Sequence, residues 1–332
     1  MGEKNPCVLR SFLTALGVAT CLMCASPALA RADYLGFPDV SGQEWFVSDG
    51  SLSYAIERGL MTGFSDGRFG PADTVTRGQV ATVLWRMAGR PRAWSGSFID
   101  VDYSAYYGDA IRWVHSEGIM TGYDGSSHFG PDDPMTREQL SKVVAGYARL
   151  VGADVSSSDR LPFVDADQIS PWAAEPMAWC AEEGIITGEP VPSGMRANPQ
   201  GTAVRGQLAK IISVLHREVV VPSLGYEPEP VYATDDYVML AGTIVEVHWT
   251  HLGLGPQTSY AIRLDRPATF ANSYEDENYR VRHVDEVQIW DGATYDLPIG
   301  RRVVLRGTVM PQQPTQWYIR DATVNDTSVI LV

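Results

Sequence analysis

Three segments of the chain place apolar residues at i, i+3, i+4 and i+7: Val80, Val83, Leu84 and Met87; Leu140, Val143, Val144 and Tyr147; Leu208, Ile211, Ile212 and Leu215. That spacing predicts three amphipathic helices, each with one stripe to bury. A shorter helical pattern precedes each of them, LSYAIERG from Leu52, DAIRWVHSEG from Asp109 and EPMAWCAEEG from Glu175, and closes at Gly59, Gly118 or Gly184. Glycine suits the left-handed position just past a helix. The economical packing sets the three stripes against one another, a central three-helix bundle with pseudo-threefold symmetry. Beyond Asp236 the period falls towards two. YVMLAGTIVEVHW, SYAIRL, YRVRHVDEVQIW, RRVVLRGTVM, QWYIRDATV and SVILV are short, β-branched and aromatic-rich, with Gly, Pro, Asn and Asp between them. They predict five or six strands forming a small closed barrel or sandwich, with Gly242 and Gly307 suited to the bends of an OB-like barrel. Between the two patterns, PSLGYEPEPVYATDD from Pro222 reads as an extended linker.

The helical part says nearly the same thing three times. FPDV from Phe37, FIDV from Phe98 and FVDA from Phe163 open units of about sixty residues. Inside them, GFSDGRFGPADTVTRGQVATVL from Gly63 matches GYDGSSHFGPDDPMTREQLSKVV from Gly122 and, more loosely, GEPVPSGMRANPQGTAVRGQLAKII from Gly188. A fixed period of this kind marks a repeat protein. Thr76 with Gln79 and Thr136 with Gln139 form S/T-x-x-Q capping boxes that fix where two of the helices begin. The third copy has Val204 at the cap, so its start is expected to be less well defined. The organisation read from these patterns is a leader at 1–30, repeats at 31–92, 93–155 and 156–220, a linker at 221–236 and a β-domain at 237–332.

Composition narrows the function. With 45% hydrophobic residues in 332, the chain can bury the core of two domains. Its formal net charge of -14 disfavours nucleic acid and anionic lipid as main partners, since both need a basic footprint. The β-domain is itself acidic, with fifteen acidic against eight basic residues from Gly225 onward. Residues 1–30 carry Lys4 and Arg10 ahead of an apolar run from Phe12 to Ala25, and Ala28-Leu29-Ala30 or Ala30-Arg31-Ala32 supplies a small-residue cleavage site. This is the grammar of a secretory signal peptide, too short for a membrane span, so no span is expected after cleavage. A lipid anchor at Cys21 or Cys24 is the weaker reading, because Thr20 and Met23 are poor neighbours for it. Only Cys180 remains after processing, as a buried structural thiol rather than one half of a disulfide.

The ordered set of F-x-D-V, G-I/L-x-x-G, F-G-P and T-R-x-Q, three times over from Phe37 to Arg217, resembles the S-layer homology (SLH) family. The resemblance implies an SLH pseudo-trimer: three helix-loop-helix repeats around the central bundle, with grooves between neighbours that hold a secondary cell-wall polysaccharide bearing ketal-linked pyruvate. Carried over by motif, the polysaccharide-binding residues are the arginines Arg77, Arg137 and Arg205, the early aspartates Asp39, Asp100 and Asp165, and the aromatics Trp45, Tyr106 and Trp172. The turn aspartates Asp66 and Asp124 belong to the same pattern, which the third repeat lacks. Its AVRGQ also replaces the T-R phrase, so its groove is expected to be less complete and Arg205 less well held. The chemistry is compatible: a pyruvyl ketal offers a carboxylate and a methyl group, an arginine in a first helical turn supplies a cation beside free N–H groups, and an aromatic ring can stack on a sugar's C–H face. The alternative is that each arginine pairs with an aspartate such as Asp39 or Asp100 merely to pin neighbouring repeats.

No catalytic constellation stands out. Gly63-Phe64-Ser65-Asp66-Gly67 matches the G-x-S-x-G elbow, but it falls in the repeat turn, and the second copy has no serine there. His248 and His251, three apart on an expected strand, point to opposite faces and lack further zinc ligands nearby. The Asp-Gly turns do not supply a calcium-loop ladder, and scattered carboxylates single out no glycosidase pair. Trp249, Trp290, Trp317 and Tyr318 could form a carbohydrate platform, though on strands such residues are more often core or cross-strand packing. The expectation is an exported, non-catalytic surface protein with no cofactor and no metal, held on the wall by its repeats and displaying a β-domain of unassigned ligand. The alternatives are a wall-active hydrolase delivered by the same anchor and an S-layer structural subunit.

Overall fold

The computed structural model describes residues 34–331 except 95, 97, 159, 234–235, 252–253, 272–280, 291–296 and 311–322. The leader at 1–30 lies outside the described residues, as do Trp317 and Tyr318. The first repeat contains α1 (Trp45–Ser48), α2 (Ser51–Glu57) and α3 (Arg77–Met87); the second contains α4 (Gly108–Ser116) and α5 (Arg137–Leu150). In the third, two single 3₁₀ turns lead into α6 (Ala174–Glu182), a small hairpin of β1 (Glu189–Val191) and β2 (Gly194–Arg196), and α7 (Arg205–Val214). The hairpin replaces the Asp-Gly turn of the other copies.

All twelve stripe residues are buried, but not principally against one another. The main partner of each stripe is the first helix of the following repeat: α3 packs on α4, α5 on α6, and α7 closes the circle on α2. The second helices meet where they begin. Just ahead of them, Val75 N–H donates to the Ala203 carbonyl, Ala203 N–H to the Met135 carbonyl, and Met135 N–H to the Val75 carbonyl, each at 2.9 Å. These three buried residues thus form a closed ring of backbone hydrogen bonds.

The capping boxes at Thr76/Gln79 and Thr136/Gln139 are present. At Val204 only the reciprocal half exists, Val204 N–H donating to Gln207 Oε1 at 3.3 Å, because valine has no acceptor to return. The start of α7 is nonetheless well defined, since Arg205 N–H and Gly206 N–H donate to the carbonyls of Asp73 and Pro71 at 3.0 and 2.9 Å. Tertiary partners do the work that the missing cap would have done.

The segment read as a linker is packed. From α7 the chain runs through a π turn (Leu215–Val220) into α8 (Val221–Leu224), and then forms β3 (Val231–Ala233) against the β-domain. The β-domain comprises β4 (Tyr237–His251), β5 (Gly255–Ala271), β6 (Val281–Ile289), β7 (Arg302–Val309) and β8 (Thr323–Leu331), in a curled sheet ordered β3-β5-β4-β7-β8-β6. β6 also pairs with β5, and the β6–β8 pair is parallel. At Gly242, β4 carries partners on both sides, Leu264 of β5 and Val303 of β7. A Cβ there would lie 2.2 Å from the Arg263 carbonyl oxygen, which is why glycine marks this bend. The expected irregularity at Gly307 is a register shift between Arg306 and Thr308.

Residues 32–332 make one compact unit. Met239 and Val304 of the sheet enter the helical core. Arg306 donates to the Leu35 carbonyl at 2.8 Å and lies over Phe37, while Glu227 binds both Arg58 and Arg266 at 2.5 and 2.6 Å. Tyr232 fits against Gly59, where a Cβ would be 2.9 Å from its ring. Among the described residues, no helix is long and apolar enough to cross a membrane.

Candidate functional site

Each F-G-P loop and its counterpart is clamped at one residue. In the first repeat, Asp39 accepts from the N–H groups of Phe69 and Gly70 at 2.9 and 2.7 Å, while Arg205 Nε donates to the Phe69 carbonyl at 2.7 Å. Asp100 and Arg77 hold Phe129 in the same way, and Asp165 and Arg137 hold Ala197. Aspartate and arginine therefore do not pair directly. The aspartate comes from the loop's own repeat and the arginine from the preceding one, so each loop residue pins two neighbours together.

These contacts alter the chemistry expected of the motif. The three arginines are buried, and burial lowers their pKa values, most clearly for Arg205, which also feels Arg86 and falls to about 10. All three stay charged at neutral pH. Arg205 also donates to the Thr62 carbonyl at 2.8 Å and lies 4.4 Å over Phe64, so it is as firmly held as the other two rather than less. Nor are the helix starts open to an anion. The first two N–H groups of each second helix donate to carbonyls of the next repeat's loop, for example Arg77 to Asp133 and Gly78 to Pro131 at 3.0 and 2.8 Å. For Asp100, burial alone would raise the pKa, but the two N–H donors outweigh it and hold the carboxyl below its ordinary value.

The grooves open beside these clamps. The third repeat's groove, about 520 Å³, runs from Ile185 to Pro190 along Gln207, Lys210 and Ile211, with Arg137 at its floor and Trp45 of the first repeat as its wall. The first repeat's groove, about 360 Å³, is lined by residues 61–65, Gln79, Thr82, Val83, Arg86, Arg205 and Tyr106. The third groove, expected to be the less complete, is the larger of these two. Trp45, Tyr106 and Trp172 are 50, 60 and 46% exposed, large aromatic surfaces left facing solvent.

Sequence reasoning missed two lysines set over the exposed indoles. Lys210 lies 5.7 Å over Trp45, and Lys142 lies 5.4 Å over Trp172. They occupy the same position, five residues beyond Arg205 and Arg137, and with Lys4 they are the only lysines in the chain. That restriction was the available signal. Lys210 also reaches Asp49 at 3.1 Å. The equivalent position in the first repeat is Thr82, which faces a groove walled by Tyr106.

Among the turn aspartates, Asp66 is bound to Arg68 through its side chain and backbone and does not line the first groove. Asp124 is exposed at the matching turn. Gly63–Gly67 forms a turn closed by Phe64 N–H on the Arg68 carbonyl at 2.7 Å, not a strand-to-helix elbow. His248 contacts Thr258 and Glu246. Among the described residues, no three His, Cys, Asp or Glu side chains converge to hold a metal. Cys180 is buried, and burial pushes its thiol pKa up.

The family model for the S-layer homology domain matches residues 36–81, 97–141 and 162–190, one match in each structural unit. The chain carries three S-layer homology repeats. Repeats of this family place a protein at the bacterial cell surface, associated with the wall. The chain is 31% identical over 163 residues to Exoglucanase XynX of Acetivibrio thermocellus, covering 48% of this chain and 14% of that one. It is 26% identical over 205 residues to the Surface-layer 125 kDa protein of Lysinibacillus sphaericus, covering 61% and 17%. Amylopullulanase of Thermoanaerobacterium thermosulfurigenes matches at 32% over 163 residues, covering 48% and 8%. The chain thus spans less than a fifth of the length of each of these relatives, which include surface-layer and carbohydrate-active proteins.

Proposed function

We propose that the S-layer homology repeats hold this protein non-covalently on a secondary cell-wall polysaccharide, with acidic, pyruvylated sugars seated in the grooves between repeats, and that the protein is a non-catalytic surface anchor. The observation that carries this is the recurring pair of an exposed indole with a lysine above it, Trp45 with Lys210 and Trp172 with Lys142. An indole presents a face to a sugar's C–H groups, and an ammonium beside it favours a substituent that carries a carboxylate. The three repeats are read as a pseudo-threefold trimer, which the cyclic packing and the ring at Val75, Met135 and Ala203 support. The β-domain is read as an OB-like barrel, on the strength of its pairing order and the parallel β6–β8 pair. That fold assigns it no ligand.

The test is sedimentation of the full chain with purified walls, before and after removal of the wall polymer or of its pyruvyl groups. Binding is expected to disappear in both treated samples. Binding that survives them rejects the proposed ligand. The Lys142→Ala/Lys210→Ala double variant is expected to weaken binding by about tenfold or more, in keeping with roughly 1.5 to 3 kcal/mol for a lost charge-assisted contact. Release of reducing ends from the polymer by the purified chain would establish the hydrolase reading instead.

A further inference from the structure

The first groove differs from the third in what lies across it. Its lining includes Asp236 and Tyr237, where the chain enters β4, whereas the third groove is lined by the repeats alone. Asp236 is fixed by the β-domain: its carboxylate accepts from Ala233 N–H at 2.7 Å and its carbonyl from Val309 N–H at 2.9 Å. The same carboxylate pairs with Arg90 of the first repeat.

Around it lie more cations than one carboxylate can neutralise. Arg86 and Arg205 line the groove and Arg90 stands behind Asp236. The Nε atoms of Arg86 and Arg90 are buried without a hydrogen-bond partner, and Arg86 has a long contact of 3.4 Å to Thr62 Oγ1. Asp39 and Asp73 attract Arg205 from its own side, leaving Asp236 as the carboxylate that acts on Arg86. Buried cations without compensation are costly, so this groove has a standing demand for a negative group.

We propose that Asp236 is an internal occupant of the first groove: the β-domain inserts its own carboxylate where an acidic sugar substituent sits in the other grooves, and so keeps this one shut while it is docked. This rests on the reading of the grooves as polymer sites. The wall is then held through the third groove and the pair Trp172 and Lys142, and the first groove takes polymer only when the Asp236 carboxylate is withdrawn or neutralised. Polymer and the Asp236 carboxylate compete for that groove.

The experiment counts sites. Isothermal titration calorimetry with short fragments of purified pyruvylated wall polysaccharide, each long enough to fill one groove, compares the full chain with Asp236→Asn. That substitution keeps an acceptor for Ala233 N–H and removes the charge. Asp236→Asn is expected to bind at one more site than the parent. Should it fold poorly by circular dichroism, Asp236→Ser, which also keeps an acceptor, provides the same comparison. A folded variant with the parent's number of sites overturns the closure alone, and so does a parent that already binds at all three grooves. A parent that binds no fragment overturns the polymer reading of the grooves and the closure together.

Discussion

Phe69, Phe129 and Ala197 each have a carboxylate on the amide side and a guanidinium on the carbonyl side, and this places the motif arginines among the parts that hold the fold. Arg205→Ala removes two charge-assisted hydrogen bonds in a buried site and leaves the Phe69 and Thr62 carbonyls without their donor. A loss of about 3 kcal/mol in urea unfolding is expected, although the irregular third repeat suggested from its sequence a less well-held side chain. Lys210→Ala, in a groove open to solvent, is expected to change stability by about 0.5 kcal/mol or less while weakening polymer binding. The T-R-x-Q phrase made the arginines legible in the sequence, but not their partners. Which carbonyl a guanidinium meets depends on how the repeats follow one another in space, and local spacing carries no record of that. The lysines were legible, since a residue type confined to one register of two copies is itself a pattern.

At the scale of helices and strands, the apolar period located every second helix, while the helix ends depended on what lay outside them. Val204 has extended backbone, φ -111° and ψ 160°, like the capping threonines at the other two starts. Val204→Thr supplies the missing acceptor for Gln207 N–H and is expected to stabilise the chain by about 0.5 to 1 kcal/mol in thermal or urea unfolding. The π turn after α7 holds a second testable group. His216 is buried with Nδ1 2.9 Å from the Tyr54 hydroxyl, and burial, opposed by Glu227 and reinforced by Arg58 and Arg266, lowers its pKa to about 4. The unfolded chain therefore takes up a proton between about pH 6.5 and 4 that the folded chain refuses. Stability falls as pH drops through that window, by up to about 3 kcal/mol from this residue, and urea unfolding of His216→Gln is expected to show a shallower dependence there. Neither the π turn nor α8 was legible. The proline and acid content after Val221 reads as extended chain, whereas burial of Val219 and Val220 draws the helix onward to Leu224.

Across the whole molecule, the strand segments beginning at Tyr237, Ser259, Tyr279 and Arg301 and the bend at Gly242 were legible from alternation and glycine, while QWYIRDATV falls mostly outside the described residues and SVIL belongs to β8. The pairing order was not legible, because strands distant in sequence become neighbours. The docking of the β-domain was hidden for the same reason. Met239 and Val304 lie in the helical core, and Arg306 bridges to Leu35, so the two parts share an interior. Calorimetry is expected to give one thermal transition for the chain rather than two. A chain ending at Leu224 is expected to melt at a lower temperature, because it uncovers that interior and leaves the Leu35 carbonyl without Arg306. Two well-separated transitions in the full chain would contradict this coupling.

The hydrogen bonds joining Val75, Met135 and Ala203 run head to tail and return to their origin. A stack of repeats with two free ends can grow or shorten by whole units, because each copy needs only its neighbours. A circle cannot. Removing one unit here leaves an unmet donor on one side and an unmet acceptor on the other, and adding a fourth requires the junction to break. Copy number is thus a property of the closed geometry, and selection on any one repeat acts on all three: the copies can diverge at their grooves, as Thr82 has from Lys142 and Lys210, but none can be discarded.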